Sequence, residues 1–467
     1  MNEENNKEQE QKSPLNEIIQ PFKDFIRAPR ALWGVNLAYV LEGFVYFGML
    51  GYLAMYFNEH VGLSDTQASP FVGFLTVGIT VAMVVLGGRA DRLGPRRAIL
   101  LALLLMLVGR SIIASGTYLG LETGMWGALH LFTLFGILFI IIGYGLFQPA
   151  AYGAVRVFTT PKTAAMGYAM LYALMNLGGW LPSFFSPVRK AVGINGAFGV
   201  YTGITIVAII LAFFILSKKT VEAAIARAKA EKKTEEETGD IKEEKPDTEV
   251  EVEKKPFKLI DWLKNHPLAD PKFTFFIFAL IPVQTLFAHN WLTLPMYVER
   301  AFRGTPIGDN FEFAVNLNPL LIFILVPIVA AITRKRNVYN MMIVGTFIMA
   351  APTFLLVLGP TPFTLFGYLL IMTVGEAIWQ PRFLQYAAEI APEGRTGAYI
   401  GVAQIPWFLT KAIVPIYSGW FLENFCPMEG ETNTETMWLI YACIAMTSTV
   451  ILLLAKGWVG KEFKTKA

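Results

Sequence analysis

Charged residues are scarce in this chain of 467 residues. Asp, Glu, Lys and Arg make up 16% of the sequence, whereas soluble proteins usually carry about a quarter. Apolar residues account for 54%, and they form repeated runs of about 20 residues, the length that crosses a bilayer as a helix. A large soluble core would not need so many runs of that length. The sequence therefore predicts an all-α membrane protein.

Cysteine and histidine are also rare. Cys426 and Cys443 form neither a disulfide framework nor a metal-binding spacing. Four histidines lie scattered at positions 60, 130, 266 and 289, and there is no His-Glu-x-x-His motif. We therefore expect no metal site, no cofactor and no enzymatic activity. The polar first twenty residues lack the apolar segment of a cleavable signal peptide, so the first span is expected to direct insertion.

Hydropathy predicts twelve transmembrane helices in two bundles of six. The predicted spans are 31–57, 70–88, 98–116, 125–154, 164–188, 197–216, 273–298, 313–332, 338–358, 363–388, 397–422 and 438–456. The chain then divides into a polar N-terminus, a first bundle, a charged linker, a second bundle and a tail, at residues 1–30, 31–217, 218–271, 272–458 and 459–467. A surface helix is expected at 221–233, and the Glu- and Lys-rich remainder of the linker is typical of a solvated tether.

Lys and Arg in the short loops predict the orientation. Four arginines lie between positions 89 and 97, and three basic residues follow the eighth span at 334–336. The loop at 58–69 has no Lys or Arg, although Arg189, Lys190, Arg300 and Arg303 are exceptions on that side. We expect a multi-pass protein of the cell (inner) membrane with both termini in the cytoplasm.

A glycine- and arginine-rich loop follows the second predicted span, with the sequence Gly87-Gly88-Arg89-Ala90-Asp91-Arg92-Leu93-Gly94-Pro95-Arg96-Arg97. Glycines allow close helix contacts, and an aspartate can accept hydrogen bonds at a helix N-terminus. An ordinary basic loop would explain the arginines but not Asp91. The segment resembles the signature loop of the major facilitator superfamily. The resemblance implies a cytoplasmic gate motif formed by Gly88, Asp91, Arg92, Gly94, Arg96 and Arg97.

Further segments resemble the proton-coupled oligopeptide transporters within that superfamily. They are Tyr46-Phe47-Gly48-Met49, Gly145-Leu146-Phe147-Gln148-Pro149, Tyr172 to Gly178, Leu317-Asn318-Pro319, Gly375-Glu376 and Trp407-Phe408-Leu409. The resemblance implies proton-coupled import of small organic solutes, such as short peptides or amine-bearing metabolites, by alternating access. It also implies substrate contacts from Glu376, Asn176 and Asn318, and helix packing is the alternative for both asparagines.

The chain departs from the family pattern at several charged positions. Glu42 keeps the second glutamate of the first-helix motif, but Tyr39 replaces the first glutamate and Gly43 replaces the arginine. Gln148 stands where the family has a fourth-helix lysine. Because two cations and one carboxylate are missing, the family's coupling mechanism cannot be transferred intact.

Three ionisable residues fall near the middle of predicted spans, where charge is costly and usually functional. Glu42, Glu376 and Lys411 are therefore the candidate proton-coupling residues. We hypothesise that Lys411 restores the missing positive charge and pairs with Glu376 or Glu42; the alternative is a snorkelling or static lysine. Trp407 lies one turn before Lys411, so the two should share a helix face.

Other polar positions allow two interpretations each. Trp407 and Gln148 are candidate substrate-binding residues or packing residues. His289 is expected to be a hydrogen-bonded structural histidine. Arg110 and Arg156 lie near span ends, where snorkelling or loop anchoring is the default expectation.

The expected partners are a small-molecule substrate, protons and the lipid bilayer, with no nucleic acid, and the protein is expected to be a monomer. An exporter or uniporter of another small molecule is the alternative within transport, because the family's cations are missing. A membrane receptor or scaffold that does not transport is the alternative of another class.

Overall fold

A computed structural model describes residues 29–159, 161–237, 266–333, 336–389, 399, 402, 403 and 405–459. Within these ranges every regular element is a helix. The α-helices are α1 (Arg30–Tyr56), α2 (Asp65–Leu93), α3 (Pro95–Gly116), α4 (Ala128–Phe158), α5 (Pro161–Trp180), α6 (Ser186–Ile215), α7 (Lys218–Glu237), α8 (Pro271–Ala279), α9 (Ile281–Ala301), α10 (Pro306–Asp309), α11 (Phe311–Val315), α12 (Leu317–Thr333), α13 (Val338–Ala350), α14 (Pro362–Glu389), α15 (Ile405–Phe425) and α16 (Thr434–Ala455). A π-helical turn (Phe57–Val61) and 3-10 segments (Leu181–Phe184, Pro267–Ala269, Ala351–Leu358) extend or connect them.

Membrane-spanning length is the common property of most of these helices. In the described part of the chain, nine helical stretches are long and apolar enough to cross a bilayer. They match nine of the twelve predicted spans, and helices α5, α12 and α15 occupy the other three. The predicted all-α membrane fold is confirmed, whereas the count of twelve spans stays a prediction for those three helices.

The chain forms two compact units. Unit 1 comprises Met1–Lys232 and Asn310–Ile332, and unit 2 comprises Lys233–Asp309 and Thr333–Ala467. In unit 1, α1 packs against α5 and α6, and α3 packs against α4 and α6. In unit 2, α9 packs against α15 and α16, and α13 packs against α14. The domain boundaries expected from the sequence stay a prediction.

Glycines fix how closely the helices of unit 1 approach one another. At the α3–α4 contact, a Cβ added to Gly109 would lie 2.4 Å from the carbonyl oxygen of Gly136. A second contact brings α2 and α4 together, where a Cβ on Gly145 would lie 2.6 Å from the Cβ of Ala82. Small residues permit such backbone contacts between membrane helices. The first contact fixes the rotation of α3 and therefore the direction of the next residue, Arg110.

Several sequence predictions fall on parts of the chain that lie outside the described residues. These are the N-terminus up to residue 28, most of the linker from 238 onward, the basic residues at 334–335 and the tail from 460. The side chains of Asp91 and Tyr172 also lie outside the described set. Helix α7 occupies the segment where a surface helix was expected.

Candidate functional site

The glycine- and arginine-rich loop joins α2 to α3. Gly94 has a φ of +76°, a conformation that glycine adopts without strain, and Pro95 begins α3. The Arg96 guanidinium lies 5.4 Å from the ring centre of Phe213 on α6. Gly88, Arg92 and Arg97 are exposed. The gate role of this loop stays a prediction.

A buried ion pair lies at the centre of unit 1. Arg110 on α3 donates from Nη1 to Oε2 of Glu42 at 2.8 Å and from Nη2 to Oε1 of the same carboxylate. Its Nη1 also donates to the hydroxyl of Thr205 on α6 at 2.7 Å. Glu42 and Arg110 are each 1% exposed. Bidentate pairing fixes the geometry of the pair and strengthens it. Glu42 is thus bound on both oxygens to a residue 68 positions away in sequence.

Arg110 was wrongly expected to snorkel or to anchor a loop. It is among the largest fully buried side chains of the protein, and it supplies the counter-ion of the first-helix carboxylate. An arginine within an apolar span was the signal in the sequence, because a buried arginine needs a partner. The sequence could not identify that partner, since the choice depends on the rotation of α1 against α3.

The crossing of α1 and α5 explains why no cation stands at Gly43. A Cβ on Gly43 would lie 3.2 Å from the Sδ of Met175, and a Cβ on Gly178 would lie 2.7 Å from the carbonyl oxygen of Val40. The two glycines therefore face each other where backbones touch. An arginine at position 43 would require α5 to move away. Asn176, predicted to bind substrate, lies half-buried on α5 near this crossing.

Aromatic rings take the space near the other altered positions of the family pattern. Tyr39 stacks on Phe147 with ring centres 5.8 Å apart, and Tyr46 packs on Tyr144 at 4.9 Å. Gln148 follows Phe147 on α4 and is half-buried. The positions that would carry the first glutamate and the lysine are thus occupied by an aromatic ring and a neutral amide.

A second buried carboxylate of unit 1 was missed by the sequence analysis. Glu312 on α11 is 2% exposed and accepts hydrogen bonds on Oε1 from the Tyr52 hydroxyl at 2.8 Å and from Arg189 Nε at 2.5 Å. The Arg189 guanidinium also lies 4.8 Å from the ring centre of Phe311. The contact with Glu312 gives a reason for the basic residue Arg189, which the loop-charge pattern of the sequence left as an exception. The only sequence signal was an acidic residue at the start of an apolar segment.

Neighbouring polar residues extend this contact. Ser186 and Lys190 both donate to the side-chain oxygen of Asn310, at 2.6 Å and 3.0 Å. The beginning of α6 is therefore linked to residues 310–312 by an ion pair and two further hydrogen bonds. Asn318, another predicted substrate contact in unit 1, is half-buried on α12.

Glu376 is a buried residue of α14 in unit 2, with 5% of its surface exposed. The preceding Gly375 packs against α13 so closely that a Cβ would lie 2.2 Å from the backbone nitrogen of Met349. Three residues after Glu376, Trp379 donates its indole N–H to the sulfur of Met349 at 3.0 Å. The same helix contact thus holds the backbone that carries Glu376.

Lys411 and Trp407 share one face of α15, as predicted. The Lys411 amine lies 5.0 Å from the ring centre of Trp407, within the range of a cation–π interaction. Trp407 in turn packs edge-on against Phe287 of α9, with ring centres 5.2 Å apart. The pairing of Lys411 with a carboxylate stays a prediction.

His289 is the centre of a buried hydrogen-bond cluster in unit 2. Its Nδ1 lies 2.7 Å from the hydroxyl of Thr293 and its Nε2 lies 3.1 Å from the hydroxyl of Tyr417. The imidazole also stacks on Tyr441, with ring centres 3.9 Å apart. The expected structural histidine is confirmed, because these contacts join α9, α15 and α16. No group of residues that could hold a metal ion occurs among the described positions.

These features define a polytopic helical membrane protein that buries ionisable side chains within its helices. The sequence profile of the Major Facilitator Superfamily matches residues 2–142 and 37–415. The chain therefore belongs to the Major Facilitator Superfamily, whose members are membrane transporters rather than enzymes.

Individual relatives point to one branch of this family. Dipeptide and tripeptide permease A of Proteus mirabilis (strain HI4320) is 25% identical over 190 residues, which cover 40% of this chain and 35% of the permease. The match thus spans about a third of the permease's length. The crystal structure of a peptide transporter POT in complex with sulfate has a TM-score of 0.69 at 17% identity, covering 93% of this chain and 96% of that chain. A POT family transporter in complex with 5-aminolevulinic acid has a TM-score of 0.66 at 17% identity, with 93% and 97% covered.

The two structural similarities show that this chain shares the fold of those transporters. The resemblance to peptide transporters that the sequence motifs indicated is confirmed by the same findings.

Proposed function

We propose that this chain is a secondary active transporter that imports small organic solutes together with protons by alternating access. Short peptides or amine-bearing metabolites are the proposed substrates. The observation that carries the proposal is the burial of Glu42 and Glu376, one in each unit, within membrane helices. Ionisable groups at such positions are costly and usually functional. We further propose that the protein is a monomer in the inner membrane with both termini in the cytoplasm.

Relatives support the choice of substrate. The matched permease is named for dipeptides and tripeptides, and a structural neighbour was solved with 5-aminolevulinic acid, which carries an amine. In this proposal the carboxylate of Glu376 meets the substrate amine, while Asn176 and Asn318 hydrogen-bond its backbone. Trp407 and Gln148 contribute further contacts.

The proposed proton-coupling residues are Glu42, Glu376 and Lys411. Both oxygens of Glu42 accept hydrogen bonds from Arg110, so a proton on Glu42 would remove the charge that attracts Arg110. The Lys411 amine, held over the Trp407 ring, supplies a positive charge in unit 2. A proton that neutralises a buried carboxylate changes which contacts that carboxylate can make, and this is the physical basis of symport.

Uptake of radiolabelled dialanine by the purified protein in liposomes tests the proposal. With an alkaline lumen and an acidic outside, we expect accumulation above the level without a gradient, and a protonophore should abolish it. Alanine and 5-aminolevulinic acid, added as unlabelled competitors, test whether the amine or the peptide bond is recognised. Accumulation only under the reversed gradient would indicate an exporter, and exchange that ignores the gradient would indicate a uniporter.

Glu376→Gln tests the proposed amine contact. The substitution keeps the shape of the side chain and removes its charge, so we expect binding of dialanine to weaken strongly. Glu429→Gln is the matched control, since Glu429 is exposed outside the helices. If the wild type and E376Q bound dialanine with equal affinity, Glu376 would not be a substrate-binding residue.

Binding of dialanine without any exchange across the bilayer would instead support a receptor. The same liposomes give that answer, because counterflow of labelled dialanine against unlabelled dialanine needs no proton gradient.

A further inference from the structure

Two buried carboxylates of unit 1, Glu42 and Glu312, use their oxygens differently. Glu42 accepts hydrogen bonds from Arg110 on both oxygens. Glu312 receives both of its hydrogen bonds on Oε1, one from Tyr52 at 2.8 Å and one from Arg189 at 2.5 Å. Its second oxygen, Oε2, is buried and makes no hydrogen bond with any described residue. A carboxylate oxygen buried without a donor is unfavourable.

A second buried polar atom nearby also lacks a hydrogen-bond partner among the described residues. The hydroxyl of Tyr201 on α6 is also buried and without a hydrogen-bond partner among the described residues, and its phenol interacts electrostatically with Glu312. Gly48 on α1 leaves the room for this hydroxyl, because a Cβ there would lie 2.1 Å from it. The packing of Tyr201 therefore explains why the Tyr46-Phe47-Gly48-Met49 segment has a glycine at this position.

One side chain of the cluster reaches the protein surface. The Arg189 side chain is 19% exposed, whereas Glu312 is 2% exposed. The charged and titratable groups that face Glu312 are Arg189 and Tyr201 from α6 and Tyr52 from α1. Lys190, at the beginning of α6, is directed to Asn310 instead.

We propose that Oε2 of Glu312 is a proton-binding site and that its protonation releases Arg189. A proton from water forms a bond to Oε2, the carboxylate becomes a neutral carboxylic acid, and its ionic attraction to Arg189 is lost. Arg189 keeps its contact with the Phe311 ring, so the beginning of α6 is held to residues 310–312 by weaker bonds. Loss of the proton to water restores the ion pair.

This inference adds a proton site to those of the proposed function and depends on that function only for its role in transport. The proton site itself can be tested on the purified protein without any substrate.

Infrared difference spectroscopy between neutral and acidic buffer tests proton binding directly. We expect the wild type to gain a carbonyl band of a buried carboxylic acid, E42Q to keep this band and E312Q to lose it. The proposal is overturned if E312Q keeps the band. Should E312Q fail to fold, R189Q gives the answer, because the band should then appear already in neutral buffer; an unchanged pH dependence in R189Q would equally overturn the proposal.

Dialanine transport tests the consequence for coupling. In E312Q we expect accumulation driven by a pH gradient to fall to the level without a gradient, while counterflow exchange continues. A merely structural role would reduce both activities together. The matched control is E231Q, since Glu231 on α7 is bound by Arg227 Nε at 2.6 Å in the same manner but is exposed.

The outcomes separate this inference from the proposed function. If the wild type accumulates dialanine under the gradient and E312Q does so equally well, the coupling role of Glu312 is wrong and the proposed function stands. If the wild type accumulates nothing, the proposed function is wrong, and the infrared experiment still decides whether Glu312 binds a proton.

Discussion

The buried charges of the two units are held in different ways. In unit 1, Arg110 donates hydrogen bonds to both oxygens of Glu42, and the pair is almost completely buried. In unit 2, the half-buried Lys411 lies on the face of Trp407, an attraction of about 0.5–2 kcal/mol. A bidentate ion pair resists a change of partner, whereas a lysine on an aromatic ring can exchange that contact for a carboxylate. We therefore expect Arg110 to matter for stability and Lys411 mainly for transport.

Arg110→Ala is the strongest test of this comparison. Removing one partner of a buried ion pair costs about 3–5 kcal/mol, because the other charge stays buried without compensation. We expect a large fall in the thermal unfolding temperature of the purified protein, and a smaller fall for the double variant E42Q/R110Q, in which no charge is left unpaired.

Arg227→Ala is the control for that prediction. The Arg227–Glu231 pair is exposed and spaced i, i+4 on α7, and such pairs contribute about 0.3–0.5 kcal/mol. A similar unfolding temperature for R110A and R227A would show that the buried pair does not stabilise unit 1.

Substitutions of glycine at the helix contacts should have the next largest effect in both units. Gly178→Ala brings a Cβ to 2.7 Å from the carbonyl of Val40, and Gly375→Ala brings one to 2.2 Å from the nitrogen of Met349. Overpacking of this kind costs about 1–3 kcal/mol. Gly51→Ala is the control, because nothing lies within 4 Å of its added Cβ. Unfolding temperatures measured side by side would contradict the assigned crossings if G51A were as unstable as the other two.

Tyr417→Phe tests the His289 cluster of unit 2. The variant removes the hydrogen bond to Nε2 of the imidazole but keeps the ring and the Thr293 contact. We expect a loss of about 1 kcal/mol in the free energy of unfolding. Tyr118→Phe, at an exposed tyrosine, should leave denaturant unfolding unchanged. No difference between the two variants would mean that the cluster adds nothing to stability.

Lys411→Met should have the smallest effect on stability and a complete effect on transport. The methionine keeps most of the apolar stem and no longer buries a charge. The loss of the cation–π contact is therefore largely offset, and stability should change by less than about 1 kcal/mol. Dialanine accumulation driven by the pH gradient should disappear. Lys456→Met, at an exposed lysine, is the control. Unchanged accumulation in K411M would refute the coupling role, and a large loss of stability would show that Lys411 is structural.

The sequence was enough to identify most of the buried charged residues, but not to predict which of them form pairs. A charged residue within an apolar span can be recognised from the sequence alone. Glu42, Glu376 and Lys411 were identified in this way. Arg110 could be identified in the same way, but its partner Glu42 could not, because the pair depends on how α1 and α3 face each other. Glu312 escaped because one acidic residue at the start of an apolar segment resembles an ordinary span end.

The sequence by itself determined the helices and the class of protein. Apolar runs of spanning length suffice for this, because a bilayer forces each buried backbone group to be satisfied within its own helix. Only the tertiary structure decided which charges meet. Glycine contacts such as Gly43 with Gly178 and Gly109 with Gly136 set the rotation and spacing of the helices, and these angles place Arg110 on Glu42 and Tyr201 beside Glu312. Such angles depend on the packing of residues far apart in the chain, so no local pattern contains them.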